Sequence, residues 1–385
     1  MNSLPKLYKR ASSGATQVWS IIVDGATYYS MEGIEGGTIS TNSPHICTPK
    51  SLGKKNEQTA EQQALKEATA QWTKKLEKGY CTDVSQIDSV TFRKPMKGGK
   101  FVDYMDKVIY PVIVQDKLNG IRSQTDAARS YSTGGKTFYT VPHIMNELKP
   151  LFEAFPDAFI DGEFYNFKLR QHLNRLVKIV NVKILPKHLT PELLNESKEI
   201  VQLHLFDGYG FNGITKDTPY LERHAALVKL IKQFNLEYVF VLPYEMMNSK
   251  EELDARMAIN LSEGGEGLMI RYGKCPHKDG RSTQMLKYKH FDDDEFEVVD
   301  VQEGNGDWTG CAKRIVLKLH TPATNDTRDL TFNSNIEGGM EELKEVFDNR
   351  ADWIGKMVTV KYQHFSEYGV PQLPWVITKR DYEGD

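Results

Sequence analysis

Apolar and polar residues near the N-terminus follow the patterns of one short sheet and one helix. The run 17–23 is apolar and β-branched, the dipeptide 24–25 (Asp-Gly) is a hairpin signal, and the run 26–31 is again strand-like. The segment 59–79 begins with a capping-box sequence, repeats an apolar residue at every fourth position and ends in glycine. We therefore expect a small sheet covered by one amphipathic helix within residues 1–85.

The middle of the chain, residues 86–290, alternates short apolar strands with helices. Strand-like runs occur at 111–114, 158–160 and 203–206, and an amphipathic helical pattern covers 220–234. This texture is typical of a mixed α and β domain. It is the candidate catalytic core.

The last region, 291–385, has the pattern of an antiparallel barrel. An acidic run at 292–295 precedes alternating segments that are short and bounded by turns. The predicted strands and the single helix between them are 296–301, 314–319, 340–347 (helix), 357–362 and 375–378. We expect an oligonucleotide-binding (OB) fold here, and an α+β chain of three domains overall.

Composition excludes several classes of protein. The chain has 385 residues, 39% of them hydrophobic and 26% charged, with a net charge of -3, so it is globular and any nucleic-acid contact depends on local patches. No apolar run is long enough for a membrane, and the N-terminus lacks the pattern of a secretory signal. The four cysteines are scattered without Cys-x-x-Cys spacing, which favours neither a zinc finger nor a disulfide framework. We expect a cytoplasmic monomer, in the host cytoplasm if the source is viral.

Lys117 is the candidate nucleophile. It follows the strand-like run 111–114 and precedes the turn 119–120 (Asn-Gly), so its side chain is expected to project into a cleft. An amine attacks phosphorus only when unprotonated, and burial and nearby cations favour that form. Lys287 and Lys289 are the candidates to supply that positive charge. A lysine beside a turn is also typical of an ordinary surface, so this segment alone decides little.

The order of the charged and aromatic segments that follow Lys117 is far more specific. These segments are Asp161-Gly162-Glu163, Phe206-Asp207-Gly208, Glu266-Gly267-Leu268-Met269-Ile270 and Leu286-Lys287-Tyr288-Lys289. Together with Lys117-Leu118-Asn119-Gly120 they resemble motifs I, III, IIIa, IV and V of the covalent nucleotidyltransferases, which comprise DNA ligases, RNA ligases and mRNA capping enzymes. The resemblance runs from about Pro95 to the C-terminus and is nearest to compact ATP-dependent DNA ligases of bacteriophage type. It implies a nucleotidyltransferase (ATP-grasp-like) core with antiparallel sheets.

The resemblance also implies a reaction. Lys117 attacks the α-phosphate of ATP, releases pyrophosphate and carries AMP to the 5'-phosphate of a nick in double-stranded DNA. The neighbouring 3'-hydroxyl then displaces AMP. Mg2+ is the expected ion, with Mn2+ as an alternative, because phosphoryl transfer depends on alignment and charge neutralisation.

Five motif residues receive roles from the same resemblance. Glu163 contacts the AMP ribose and later the metal, and Phe206 stacks on adenine. Glu266 is a ligand of Mg2+. Lys287 and Lys289 lie two residues apart, so on a strand they share one face and grip the α-phosphate. The alternative interpretations are a strand-end acid, a core phenylalanine and ordinary surface charge.

Other residues match the family less directly. Arg122 corresponds to an arginine that contacts the ribose or the nucleic-acid end, and Gln115 lies where an adenine-reading polar side chain is usual. Asn119 departs from the common Lys-x-Asp-Gly pattern, replacing a carboxylate by its neutral isostere.

Two motifs are degenerate. Motif Ia corresponds to Ser132-Thr133-Gly134-Gly135, in which Thr133 stands where an arginine is common. Ser132 and the following Lys136 are expected to contact DNA. Lys379 and Arg380 are the best match for basic residues that orient pyrophosphate, and a charged C-terminal tail is the alternative.

The N-terminal unit is similar to the WGR domain of proteins that bind nucleic-acid ends. Trp19 lies in its first predicted strand, and the segment 33–36 (Gly-Ile-Glu-Gly) takes the place of Gly-Arg-x-Gly, without the arginine. Lys50, Lys54 and Lys55 lie nearby, and we expect Lys54 and Lys55 to contact DNA phosphates. A solvated basic loop is the alternative.

Three other functions stay open. An RNA ligase or a capping guanylyltransferase shares these motifs, and a protein that has lost catalysis through Asn119 or Thr133 would still bind ends. NAD as the nucleotide donor is disfavoured, because the sequence shows neither a nicotinamide module nor a cysteine-rich zinc region.

Overall fold

A computed structural model describes residues 2–11, 13–53, 55–88, 93–170, 173–305, 308–320, 330–366 and 368–380. Four sheets, one of them a closed barrel, account for the strands of these residues. No helix in the described ranges is both long enough and apolar enough to cross a membrane. Short 3₁₀ helices lie at Val84–Gln86, Phe101–Asp103, Met105–Lys107, Phe167–Leu169, Pro186–His188 and Arg350–Asp352.

The N-terminal unit is a six-stranded sheet covered by one helix. Its elements are β1 (Asn2–Ser3), β2 (Leu7–Arg10), β3 (Thr16–Asp24), β4 (Thr27–Ile34), β5 (Ile39–Thr41), β6 (His45–Ile46) and α1 (Ala60–Glu77). The predicted hairpin at 24–25 and the capping box of Thr59 and Gln62 are confirmed. Trp19 of the sheet is buried in one apolar cluster with Ala64 and Ala68 of α1.

The middle region contains two five-stranded sheets. Its strands are β7 (Met96–Lys100), β8 (Val112–Asp116), β9 (Ile121–Thr125), β10 (Ser130–Tyr131), β11 (Phe159–Tyr165), β12 (Gln202–Tyr209), β13 (Val239–Val241), β14 (Glu245–Met247), β15 (Gly267–Arg271) and β16 (Gly280–Lys289). The helices are α2 (Pro142–Ala154), α3 (Leu173–Ile179), α4 (Pro191–Ile200), α5 (Tyr220–Phe234) and α6 (Lys250–Ser262). One sheet has the order β10-β9-β11-β12-β13 and the other β14-β8-β15-β16-β7. The pairing is antiparallel as expected, except that β12–β13 and β16–β7 are parallel.

Each of these two sheets has its own apolar core on its outer face. Phe164 and Leu203 of the first sheet pack in a cluster with residues of α2 and α5, whereas Leu268 of the second packs with residues of α6. Successive side chains of a strand point to opposite faces, so Glu163 and Met269 point the other way. The inner faces of the two sheets therefore carry the polar motif residues.

Two motifs lie inside strands, whereas the sequence pattern placed them after strands. Asp161-Gly162-Glu163 belongs to β11 and Phe206-Asp207-Gly208 to β12, and the pairing between the two strands shifts register at Asp161 and Gly162. A Cβ at Gly162 would lie 2.7 Å from the carbonyl oxygen of His204. The glycines that looked like strand ends instead permit a bulge inside a longer strand.

The C-terminal region is a closed five-stranded barrel, which fits the expected OB-like domain, although the strand Thr331–Ile336 was not predicted and its pairing with Trp375–Lys379 is parallel. Its elements are β17 (Asp292–Glu303), β18 (Ala312–Lys318), β19 (Thr331–Ile336), β20 (Met357–Tyr362), β21 (Trp375–Lys379) and α7 (Met340–Asp348), joined in the order β17-β18-β19-β21-β20. The first strand begins inside the acidic run, earlier than predicted, because Asp292 already pairs with Tyr362.

Candidate active site

Lys117 is fixed beside the turn that carries Glu266. The backbone N–H of Lys117 donates to the carbonyl oxygen of Gly267 at 2.9 Å. Asn260 of α6 reaches both segments: its amide nitrogen donates to Asp116 at 2.8 Å, and its amide oxygen accepts from the N–H of Gly267 at 3.0 Å. One side chain therefore ties the end of β8 to the start of β15.

Glycine is required in this turn because of close approaches. A Cβ at Gly265 would lie 2.2 Å from the amide oxygen of Asn260, and a Cβ at Gly267 would lie 2.3 Å from the carbonyl oxygen of Tyr288. Gly267 also has a φ of +136°, which other residues rarely adopt. The turn that carries Glu266 can therefore approach Asn260 and Tyr288 closely only with glycine at both positions.

Glu266 lies between two lysines. Its Oε1 is 2.6 Å from Nζ of Lys289, and its Oε2 forms an ion pair with Nζ of Lys117. Burial by itself would raise the pKa of Glu266, but the charges and hydrogen bonds of Lys117 and Lys289 bring it below its ordinary value. Lys117 is thus held by a carboxylate as well as surrounded by cations, and this ion pair must open before the amine can attack.

Lys287 projects from the same face of β16 as Lys289, as the two-residue spacing predicted. It forms no ion pair or hydrogen bond with any residue in the described ranges, and burial together with the charges of Lys117, Lys289 and Arg122 lowers its pKa. A buried cation beside other cations favours the binding of an anion. The site therefore suits a phosphate group.

Arg122 and Glu163 lie on adjoining strands of the opposite sheet. Arg122 donates through Nε and Nη2 to Asp161 at 3.0 and 2.6 Å, and Glu163 accepts from the N–H of Gly120 at 3.2 Å. A Cβ at Gly120 would lie 2.3 Å from the carbonyl oxygen of Phe164, so only glycine lets the Lys117 turn rest on β11. Burial raises the pKa of Glu163 to about 7, against the opposing charges of Lys117 and Arg122.

Replacing Glu163 by glutamine should alter how stability depends on pH. The pKa of Glu163 is about 7 in the folded protein, whereas that of an unfolded glutamate is about 4.3. Between these two pH values the carboxyl group ionises in the unfolded state but not in the folded state, so the folded protein loses stability as pH rises. Glu163→Gln should therefore gain at least about 1 kcal/mol relative to the parent protein between pH 5 and pH 8, measured by urea unfolding. The exposed control Glu153→Gln should show no such gain, and a pH-independent difference for Glu163→Gln would contradict the argument.

Phe206 is only partly buried, which disagrees with a purely core role. The guanidinium carbons of Arg122 and Arg271 lie 5.1 and 5.6 Å from its ring centroid. Its ring is therefore bordered by two cations in the cleft between the sheets. Its stacking on adenine stays a prediction.

Asp207 is the centre of a buried charge network that sequence reasoning missed. Arg223 of α5 donates to it through Nε and Nη2 at 2.8 and 2.9 Å, while Arg271 and His277 approach Oδ2 at 3.2 and 3.3 Å. Burial alone would raise the pKa of Asp207, but these partners bring it far below its usual range. The network joins α5 and the end of β15 to the strand that carries Phe206.

Gln115 is buried and its amide already has partners. Its Nε2 donates to the carbonyl oxygen of Leu242 at 2.9 Å, and its Oε1 accepts from the hydroxyl of Tyr220 at 2.9 Å. Both ends of the side chain are thus used within the protein. The predicted reading of adenine by Gln115 requires exchange of one of these hydrogen bonds.

The barrel contributes Gln363, a second residue that the sequence did not suggest. Its Nε2 donates to the carbonyl oxygen of Glu266 at 3.2 Å, and its Oε1 lies 3.3 Å from Nζ of Lys289. Gln363 directly follows β20. No motif marks it, because its position depends on how the barrel packs against the core.

Lys379 and Arg380 lie away from Lys117. Lys379 pairs with Val358 on the neighbouring strand. Val358 precedes Gln363 by five residues, a separation of about 17 Å along an extended strand. Lys379 approaches the ring of Trp353, and Nε of Arg380 lies 3.0 Å from Glu295. This arrangement does not bring the predicted pyrophosphate residues to the nucleophile.

The predicted DNA-binding residues outside the cleft are spread over two units. Ser132 and Lys136 form a hairpin turn, and Lys136 lies 3.6 Å from Glu77 of α1. Lys55 is exposed, while Lys54 lies outside the described residues. These contacts connect the hairpin to the N-terminal unit.

Two facing sheets with a lysine at a strand end, followed by a closed barrel, are the architecture of a DNA ligase. A solved Lig E DNA ligase has this fold: its TM-score is 0.60 at 20% identity, over 75% of this chain and all of its own. The sequence pattern of the ATP dependent DNA ligase domain matches residues 95–289, and the protein belongs to that family.

Curated relatives come from a virus and a bacterium. A DNA ligase of African swine fever virus is 27% identical over 291 residues, which cover 70% of this chain but 64% of that protein. A DNA ligase of Haemophilus influenzae is 21% identical over 270 residues, covering 70% of this chain and 87% of its own length. The chain thus matches under two thirds of the viral relative's length.

Proposed function

We propose that this protein is an ATP-dependent DNA ligase that joins 5'-phosphate and 3'-hydroxyl ends at nicks through an AMP carried by Lys117. One observation supports this above the others. Lys117, at the end of β8, forms an ion pair with Glu266, and Lys287 and Lys289 lie on β16 of the same sheet, where Lys289 contacts Glu266 as well. A nucleophile, a carboxylate and two phosphate-binding cations are thereby within one small site.

The first chemical step follows from these contacts. The α-phosphate of ATP binds to Lys289 and to Lys287, which has no anionic partner among the described residues. Lys117 then leaves Glu266, releases its proton to solvent and attacks phosphorus. The new P–N bond is the phosphoramidate, and the bond from phosphorus to the pyrophosphate oxygen breaks as pyrophosphate leaves. The fixed backbone contact of Lys117 to Gly267 limits the search for the attacking geometry.

The acids of the cleft fit Mg2+. Glu163 and Glu266 offer only oxygen ligands, which Mg2+ prefers. They lie near enough for the charge of Glu266 to raise the pKa of Glu163. In the described residues these acids form no three-ligand cage, which agrees with an ion shared between one or two carboxylates and substrate phosphates. Bound there, Mg2+ would neutralise charge on the phosphates. Mn2+ is the expected alternative ion.

The nucleoside is proposed to lie between the sheets. Phe206 offers a partly exposed ring for adenine, Glu163 and Arg122 border the ribose position, and Gln115 lies below the base. Lys379 and Arg380 would orient pyrophosphate only if the barrel moved relative to the core and brought them to Lys117. In that arrangement Gln363 would no longer contact Glu266.

The remaining expectations are part of the same proposal. We divide the chain into an end-binding unit of the WGR type (1–85), an adenylation domain (86–290) and an OB-fold domain (291–385). The separate apolar cluster around Trp19, formed by residues of the N-terminal unit, supports the first division. A bacteriophage-type enzyme that acts as a cytoplasmic monomer is the expected context.

A substrate panel distinguishes the candidate activities. With ATP and Mg2+, the protein should seal a nick in duplex DNA at least about tenfold faster than the same nick in duplex RNA, measured by gel electrophoresis of end-labelled strands. GTP in place of ATP should give no labelled protein. Preference for the RNA nick would favour an RNA ligase, and labelling by GTP a capping enzyme.

Removing residues 1–85 should separate DNA binding from adenylation. This unit touches the core at exposed sites, such as Arg10 with Asp88 and Lys136 with Glu77, whereas Lys117 is positioned wholly by the core. We expect nick affinity to fall at least about fivefold, because phosphate contacts are lost, while labelling of Lys117 by ATP stays within twofold. Equal nick binding by truncated and full-length protein, measured by electrophoretic mobility shift, would refute an end-binding role.

A further inference from the structure

Three side chains of different chemistry converge at the edge of the N-terminal sheet. His45 lies on β6, Cys47 directly follows it, and Glu67 projects from α1. Their ligand atoms all lie within 4.8 Å of one another, and no other group of three such side chains occurs in the part of the chain that the structure describes. The ligase chemistry uses none of them.

The separations match those of a tetrahedral metal site. His45 Nε2 and Cys47 Sγ lie 3.5 and 3.7 Å from the same atom, Oε2 of Glu67. Bonds of about 2.0 Å to nitrogen or oxygen and about 2.3 Å to sulfur place tetrahedral ligands roughly 3.3–3.6 Å apart. A metal ion therefore fits between the three atoms with only small side-chain movements.

The two oxygens of Glu67 have separate partners, which leaves one oxygen for the ion. Oε1 accepts from Gln63 at 2.5 Å and lies 3.2 Å from Nζ of Lys50. Oε2 points towards His45 and Cys47 and accepts from the hydroxyl of Tyr28 at 3.3 Å. Partners of this kind orient metal ligands and fix their direction.

We propose that His45, Cys47 and Glu67 bind one Zn2+ ion, with solvent at the fourth position. One imidazole, one thiolate and one carboxylate suit a borderline-soft ion such as Zn2+, whereas Mg2+ prefers oxygen ligands alone. The ion fastens β6 and the segment after it to α1. The side chains of His45 and Glu67 are 41% and 28% exposed, so the ion can enter from solvent.

The thiol provides a proton that zinc must displace. Burial and the neighbouring Glu67 raise the pKa of Cys47, so without metal the sulfur is protonated. Zinc binding forms the Zn–S bond, breaks the S–H bond and releases one proton to the buffer. No electrons are transferred.

The test uses full-length protein without a histidine tag, from which a chelator has removed bound metal. Zn2+ is then added stepwise in excess Mg2+, which occupies Glu163 and Glu266 so that they do not compete for Zn2+. Zn2+ should bind with one equivalent per chain and raise the melting temperature by a few degrees. Co2+, used as a spectroscopic probe, should produce the near-ultraviolet absorption of a cobalt–thiolate bond. His45→Gln should weaken Zn2+ binding at least tenfold, and Cys47→Ser should abolish the cobalt–thiolate absorption.

Cys81→Ser is the matched control. Cys81 is buried in the same unit, but its sulfur donates to the carbonyl oxygens of Tyr8 and Asp83, and it belongs to no three-ligand group of the described residues. This variant should keep the full absorption and the zinc affinity. Binding of less than half an equivalent by the parent protein, or equal affinity in His45→Gln and the parent, would overturn the proposal. Because His45 is partly exposed, its substitution keeps the test informative even if Cys47→Ser does not fold.

Discussion

Lys117→Arg is expected to lose transfer of AMP from ATP by at least about 10³-fold, to the limit of detection, while the folded structure is kept. Arginine retains a positive charge against Glu266, so the ion pair that closes the site can still form. Its guanidinium does not deprotonate in proteins and cannot act as the nucleophile. The measurement is incorporation of α-labelled AMP into protein at saturating ATP.

The same variant should still seal a nick whose 5'-phosphate already carries AMP. Lys117 is only a carrier in the proposed reaction, so a substrate that arrives adenylated needs the rest of the site but not its amine. We expect at least a tenth of the parental sealing rate on this substrate. If the variant cannot seal the adenylated nick although its unfolding curve and DNA affinity match the parent protein, Lys117 has a further role beyond carrying AMP.

Asp207→Asn is expected to give the largest loss of stability of any single substitution discussed, about 3–5 kcal/mol in the free energy of unfolding. The substitution leaves the guanidinium groups of Arg223 and Arg271 without their shared carboxylate. Arg223 is fully buried, so water cannot take the place of that partner. Urea unfolding at pH 7 measures the loss.

The control for this substitution is the exposed pair of Lys149 and Glu153 on α2, whose side chains are 74% and 66% exposed. Glu153→Gln should leave the unfolding midpoint unchanged, because exposed ion pairs contribute little. Since the folded pKa of Asp207 is depressed, its contribution is present above the unfolded value of about 3.9 and is lost as pH falls below it. The difference in the free energy of unfolding between the parent protein and Asp207→Asn should therefore become smaller in acid. A difference of less than about 1 kcal/mol at pH 7 would refute the role of the network.

Elements with a strong local pattern were predictable from the sequence. The helix 220–234 and the barrel helix near 340–347 were placed within a residue or two, because their apolar spacing and flanking turn residues carry the information locally. The spacing of Lys287 and Lys289 likewise fixed their common face on β16. The order of the motifs predicted which residues would share one cleft.

Contacts between distant segments were not predictable in the same way. Arg223 and Arg271 are ordinary arginines in the sequence, and only the packing of α5 and β15 against β12 makes them partners of Asp207. Gln363 meets Glu266 through the placement of the barrel. The ion pair of Lys117 with Glu266 likewise depends on the packing of β8 beside the turn before β15.

The most direct test of the account is to locate the AMP on the protein. After incubation with ATP and Mg2+, the protein is digested under conditions that preserve phosphoramide bonds, and the peptides are analysed by mass spectrometry. One AMP per chain should be attached to Lys117. Added pyrophosphate should remove it as ATP by reversing the reaction, and added nicked DNA should release it as free AMP once the nick is sealed. An AMP on any other residue, or no adduct in protein that seals nicks with ATP, would contradict it.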